Sequence, residues 1–343
     1  MSARSLSQRP PSHQVTRSPG HHAVCLVTLC LGVMVTFNSG CGPKYTYPSS
    51  SVPKSIEDIC RKENNIEVTA RVVGKTVGAL VYVDQIIDSK GQIPKDVHEQ
   101  MGKVMQAVSR VALSTDLALD FCSVVIRDKK HPNELVVVRS VDDTKRANSD
   151  AIGIEESINR TIFGQNKFRP DSSGENAFLL KEVKLENFLS EQIVQRIRYN
   201  LSKGSKEDKE DPEQSLALVD GIFSHDQGKR AFHFSVLSLK SKNPRQIIID
   251  VLRTIDLVFA GYHFTDFDEI EIQDYLNRQK LVLDRKTFLD YQTKKIKEQE
   301  LLAKFLTESQ SIQEAFKLFG FNVPSDPASS TDKDTRPVST ATL

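Results

Sequence analysis

Three consecutive residues, Ser224, His225 and Asp226, are of the types that build an acyl-transfer relay. A relay needs them to converge from separate elements, and neighbours in one turn point apart. No GxSxG elbow accompanies them. The stretch VVGKTVG (Val72–Gly78) raises a second chemistry, phosphate binding. A phosphate loop needs a glycine where this chain has Thr69, and a helix where it has a strand-like run. A turn between strands is the better reading. Metal binding is the third. His98, His131, His225, His233 and His263 are scattered, with no HExxH or CxxC pair. His225 and Asp226 could meet the acids Asp266, Asp268 and Glu269 around a divalent cation, but turn residues on a solvated strand face explain them more simply. The glycine and closing glutamate of an EF-hand loop are missing. No catalytic residue, cofactor or metal ligand is assigned, and the chain is not expected to be an enzyme.

One reactive group remains, the thiol of Cys41. Residues 1–22 carry Arg4, Arg9 and Arg17 and no acid. AVCLVTLCLGVMVTF (Ala23–Phe37) follows without a charge, and then Ser39-Gly40-Cys41. A spanning helix needs about 20 apolar residues, and this run is shorter. A basic start, a short apolar run and small residues make a secretory signal.

The apolar run followed by SGC resembles the signal of a bacterial lipoprotein, with Asn38 where that family usually has an aliphatic residue. The resemblance covers the signal and none of the body. It implies acylation of the Cys41 thiol, cleavage just before it and a lipid anchor in the membrane. With Gly42 rather than Asp next, it implies the outer membrane of a Gram-negative cell, facing the periplasm. Export with a different cut, an uncleaved anchor and a cytosolic chain are the rival readings. After processing, Cys60 and Cys122 are the thiols that remain. They either pair as a disulfide or, more simply, are two small buried apolar residues.

The bulk numbers fit folded modules with unstructured ends: 343 residues, 38% apolar and 27% charged. A net charge of +1 gives no field of one sign, so no nucleic-acid partner is expected. Trp is absent.

The elements that would position a site fall into two halves. Ser55–Asp58 has capping-box spacing for a helix from Ile56. Strands are expected at Ile66–Val73 and Val77–Asp84, then a helix over Pro94–Ser114 with one apolar stripe. A hairpin follows, Phe121–Asp128 with Glu134–Ser140, and then a helix capped by Asp142. Leu185–Leu201 is an amphipathic helix. The second half repeats the order: a hairpin over Ile222–Leu239, a helix opened by Pro244, strands DEIEIQDY and QKLVLDR, and a helix from Lys286. Laid side by side, Asp120-Phe121 falls on Asp266-Phe267, Ile126 on Ile272, Asp128 on Asp274 and Thr144 on Thr287. A true duplication and a chance likeness of pattern both remain open at this point.

The expected fold class is α+β: two small, mainly antiparallel sheets, each with packed helices, with a duplicated ββαββα unit as one form of it. The expected division is a signal over 1–40, a lipidated tether over 41–54 and a first domain over 55–202. A charged linker covers 203–213, a second domain 214–323, with a helix at Ser311–Gly320, and an unstructured tail 324–343. A flexible Gly42–Ser55 would give the tether a reach of about 20 Å. The expected function is a membrane-anchored envelope lipoprotein that binds, scaffolds or assembles a protein partner. The alternatives are a ring- or machine-forming envelope subunit, or an envelope hydrolase with dispersed catalytic residues.

Overall fold

The computed structural model describes residues 45–167, 180–203, 217–238 and 244–308. The signal with Cys41, the linker beyond Lys203, the helix expected at Ser311–Gly320 and the tail 324–343 lie outside the described residues. Within them the chain is α+β, with two five-stranded mixed sheets and helices packed against them.

In the first module, β1 (Val68–Val73) and β2 (Thr76–Val83) pair antiparallel through a turn at Gly74, whose φ of +55° suits a residue without Cβ. The VVGKTVG stretch is therefore a turn between strands. Helix α1 (Val52–Asn64) precedes β1, and α2 (Lys95–Leu113) crosses over to β3 (Phe121–Asp128), which lies parallel to β2. β4 (Asn133–Ser140) returns antiparallel, α3 (Val141–Asn148) and α4 (Ile154–Asn159) follow, and β5 (Ile162–Lys167) closes the sheet beside β4. α1 and α2 cover one face, over Val77, Ala79, Val81, Cys122, Val124 and Ile126. Leu180 lies on Leu80 and Val125 of the other face. With both faces covered, β3 is buried along its whole length, in keeping with its mainly apolar FCSVVI stretch.

The second module runs the same course. β6 (Ala217–Asp226) and β7 (Lys229–Ser238) form a hairpin, α6 (Pro244–Tyr262) crosses to a parallel β8 (Glu269–Asp274), and β9 (Gln279–Asp284) returns. α7 (Arg285–Gln292), α8 (Glu298–Phe305) and a short β10 (Leu306–Glu308) complete it. The strand orders are β1-β2-β3-β4-β5 and β10-β9-β8-β7-β6, so connectivity and direction repeat. Asp128 and Asp274 end equivalent strands. The residue after each donates its N–H back across the parallel pair, Lys129 to Val83 and Tyr275 to Val236. Each carboxylate then caps its hairpin turn, Asp128 from Lys130 N (2.7 Å) and Asp274 from Asn277 N (3.2 Å). Ile126 and Ile272 are both buried, and Thr144 and Thr287 both sit in the first turn of the helix that follows. The filling differs. The first core is Val, Ala and Ile. The second holds a chain of rings, Phe232–Phe259–Phe267–Phe288, at centroid distances of 5.0, 5.3 and 5.7 Å.

Three local readings need correction. α1 begins at Val52, not Ile56, because Val52 and Ile56 bury on one face and Pro53 is tolerated in a first turn. The chain is already bonded before that helix: Thr46 N and Tyr47 N donate to Ser114 O, and Ser49 N to Asp116 Oδ1. α3 is capped by Ser140, whose Oγ accepts from Asp142 N at 3.2 Å, so Asp142 lies inside the helix. α4 and β5 carry no clear sequence pattern and were not expected.

Helix α5 (Leu185–Lys203) joins the two modules. Phe188, Ile193 and Val194 are buried in the aromatic core of the second, and the Phe188 ring lies 5.0 Å from Phe121 of the first. Gly221 on β6 lets α5 approach, since a Cβ there would meet Val194 Cγ2 at 2.6 Å. α5 also seals two sheet edges. Gln195 accepts from Phe163 N of β5 (3.0 Å) and donates to Thr161 O just before it (2.8 Å), and Arg198 donates to Val219 O (3.2 Å) on β6. Two strands that could otherwise recruit a further strand are thereby closed.

Beneath α5 lies a buried polar network. Asp143 is 1% exposed. It accepts from Arg160 Nη1 at 2.9 Å and from the Tyr262 hydroxyl. Gln192 Nε2 donates to Tyr262 Oη (3.0 Å) and to Arg160 O (3.0 Å). Glu156 takes Arg160 Nε (2.7 Å) and Arg196 Nη2 (2.9 Å). Burial works against the Arg160 charge, but its two carboxylates more than offset that and raise its pKa. Burial, then the Asp143 charge, pushes the Tyr262 hydroxyl well above its ordinary value. Asp143→Ala leaves Arg160 to Glu156 alone and strips the Tyr262 hydroxyl of its acceptor, and should cost about 3 kcal/mol in urea unfolding. An equilibrium melt of that variant matching the parent would show that the network carries no stability.

Candidate functional site

Cys41 lies outside the described residues. Cys60 on α1 and Cys122 on β3 are free thiols, both buried. Burial, helped by the Glu63 charge, pushes Cys60 up to about 11, and burial pushes Cys122 up to about 12, so both are poor nucleophiles at neutral pH. The acids read as possible cation ligands are spent on cations of the chain. Arg230 holds Asp266, and Asp268 through Nε at 3.3 Å, while Lys229 holds Glu269 at 2.8 Å. Among the described residues no group of three or more His, Cys, Asp or Glu is placed around a metal position.

Ser224, His225 and Asp226 do not converge, but Ser224 meets a different histidine. On the face of the second sheet away from its helices, Ser224 Oγ lies 3.1 Å from His233 Nε2. His233 Nδ1 lies 3.7 Å from Glu271 Oε2, and Lys280 Nζ lies 2.9 Å from Glu271 Oε1. The row crosses β6, β7, β8 and β9. With the Nδ1 proton toward Glu271, Nε2 accepts from the hydroxyl, as in a nucleophile–base–carboxylate chain. The sequence hides it, because pairing register, not proximity along the chain, brings the three together. The row lies on a sheet face with His233 34% exposed, and among the described residues nothing walls off water from it.

Concave surface among the described residues lies elsewhere. Two clefts of about 550 and 850 Å³ meet at Phe163 of β5. The first lobe has Val137 and Arg139 of β4 in its floor and Met101, Met105 and Ser109 of α2 in its wall. The second is lined by Ile154 and Ile158 of α4, Tyr199 of α5 and Leu257 of α6. Ile154 is 84% exposed and Leu257 58%, and Ile158, Tyr199 and Phe163 are exposed as well. Isolated exposed apolar residues mean little, whereas these five form one exposed apolar patch around a hollow.

Comparison of the modules explains why the hollow exists. In the second module α8 lies over β9, and Leu301 and Leu302 are buried with Leu281 and Leu283. In the first, α4 has six residues and its isoleucines face outward, so β5 is left uncovered and Phe163 stands in the open. The same topology is filled in one copy and open in the other.

No known protein family matches the chain, and no curated protein matches it. Among solved structures, the crystal structure of the sex pheromone staph-cAM373 precursor is similar at 8% identity, over 64% of this chain and 71% of that one, with a TM-score of 0.17, which carries no argument.

The polar row has a definite acid signature. The His233 ring, followed by the Lys280 ammonium, holds Glu271 down at about 2 against the burial that would raise it. A carboxyl depressed in the fold stabilises it above its free value, 4.5, and that contribution is lost as pH falls through about 2. Glu271→Gln should cost about 1–2 kcal/mol at pH 7 and flatten the fall in stability between those limits. Urea midpoints measured from pH 7 to pH 2 check this, and parallel profiles for the two proteins would refute it.

Proposed function

We propose that this chain is a lipid-anchored protein of the bacterial envelope that acts by binding a protein partner rather than by catalysis. The anchor is the Cys41 thiol, supported by the basic start, the apolar run and SGC. Two acyl chains suffice for stable anchoring. The observation that carries the binding role is the two-lobed groove, with Ile154, Ile158, Phe163, Tyr199 and Leu257 exposed around it. A pocket of this size, mainly apolar with a few polar groups, is the common form of a recognition site. Placement at the outer membrane, facing the periplasm, follows from Gly42 after the acylated cysteine and belongs to the same proposal.

Feeding cells a clickable fatty acid should label the parent and leave Cys41→Ser unlabelled; label retained on the variant overturns the anchor. For the groove, a photo-reactive residue at Ile154 should give one discrete crosslinked species in intact cells. Leu257→Asp should abolish it while changing stability by no more than about 0.5 kcal/mol, because that side chain is exposed. An unchanged crosslink removes the groove from function. A second reading, an envelope hydrolase, is favoured by the Ser224–His233–Glu271 row. Labelling by a fluorophosphonate that disappears in Ser224→Ala would replace the first reading with this one.

A further inference from the structure

The first lobe of the groove holds a charge that the fold does not neutralise. Arg139 stands in its floor, half-buried on β4. Its Nε donates to Thr161 Oγ1 at 3.1 Å. Among the described residues, its two terminal nitrogens have no hydrogen-bond partner and no carboxylate lies within ion-pair distance. A guanidinium carries five N–H donors, so four are left over. Three more deeply buried arginines each hold a carboxylate. Arg127 holds Glu134 at 2.8 Å, Arg160 holds Asp143 at 2.9 Å, and Arg196 holds Glu156 at 2.9 Å. Asp143 is close enough for its field to act on Arg139, but its oxygens are taken by Arg160 and Tyr262. Burial correspondingly lowers the Arg139 pKa. A half-buried cation with free donors at the floor of a cleft favours an anion that meets it there.

A second polar group in the same lobe lacks a partner. Ser109 is 7% exposed, and its Oγ finds no hydrogen bond apart from the weakly bonding Cys122 thiol beside it. Around these two groups the wall is apolar and adaptable: Met101, Met105 and Leu113 from α2 and Val137 from β4. The ridge at Phe163 then leads into the exposed apolar second lobe.

We infer that the Arg139 lobe receives a carboxylate that terminates an apolar chain, with the carboxylate forked onto the terminal nitrogens of Arg139 and the chain running past Phe163. The fork of the guanidinium matches a carboxylate in two parallel hydrogen bonds. A free fatty acid and the carboxyl end of an apolar peptide share this chemistry. The inference rests on the groove being the binding surface and adds the class of ligand that it takes.

Titration calorimetry on the purified chain tests it, with dodecanoate against dodecanol and with an all-Val/Leu hexapeptide against its C-terminal amide. The charged member of at least one pair should bind about tenfold or more tightly than its neutral analogue, the range of a charge-assisted hydrogen bond. Preference for dodecanoate points to a lipid source, and preference for the free peptide to a protein source. Arg139→Gln should remove the preference, with an unchanged circular dichroism spectrum. Gly102→Phe gives an independent check, because Gly102 lines the lobe and a Cβ there meets nothing within 4 Å, so the ring is tolerated and should obstruct the lobe and block both acids. The inference is overturned by no binding of either acid, by equal binding of acid and neutral analogue, or by full binding to Gly102→Phe. A failure here that leaves the Ile154 crosslink intact sinks the ligand class and not the groove.

Discussion

The carboxylate of Asp143 sits where water does not reach, and the arrangement of the whole molecule follows from the need to answer it. Its partners cannot come from one module. Arg160 is supplied from the end of α4, Tyr262 from the end of α6, and Gln192 from α5 to hold the tyrosine in place. Arg160 also lies over the Tyr262 ring, 5.0 Å from its centroid, and Gly261 leaves room for its guanidinium. Four helices from both halves, α3, α4, α5 and α6, are therefore committed to one ionic centre. Apolar packing alone would tolerate some sliding of α5 between the sheets, whereas hydrogen bonds to a buried charge do not.

Given that fixed junction, the repeated topology becomes useful through its inequality. Both modules arrange hairpin, helix, hairpin, two helices and edge strand in one order. The second uses its late helix to finish a core rich in phenylalanine. The first spends its residues on the junction, with Asp143, Glu156 and Arg160 all in α3, α4 or the residue after, and leaves β5 bare on the helix side. The groove is what remains when one copy of a unit builds the interface and the other builds the core.

Much of the fold is legible in the residues, for a physical reason. Alternation in Ile66–Val73, the mainly apolar run of Phe121–Ile126 and the helical stripe of Pro94–Ser114 each bury one face or two, and burial is what the pattern records. The match of Asp128 with Asp274 is visible because both cap the same turn. The ends of elements are harder: Ser55 and Asp142 carry capping side chains but lie inside helices whose start is set by buried Val52 and by Ser140. α4 and β5 are invisible because their apolar side chains are exposed, so no burial rhythm marks them. The site residues fare worst. Ser224, His233 and Glu271 belong to three strands, and Arg139 stands out only once every carboxylate near it is seen to be taken.

The bonding of Thr46–Ser49 to the loop after α2 has a mechanical meaning. A pull applied at the amino-terminal end of the folded body is taken first by Thr46 N and Tyr47 N on Ser114 O and by Ser49 N on Asp116 Oδ1. Those bonds are few and sit outside both sheets, so they can peel and re-form while the strand ladders stay unloaded. By bond count and placement, the leading segment would yield to tension before any β-pair is sheared.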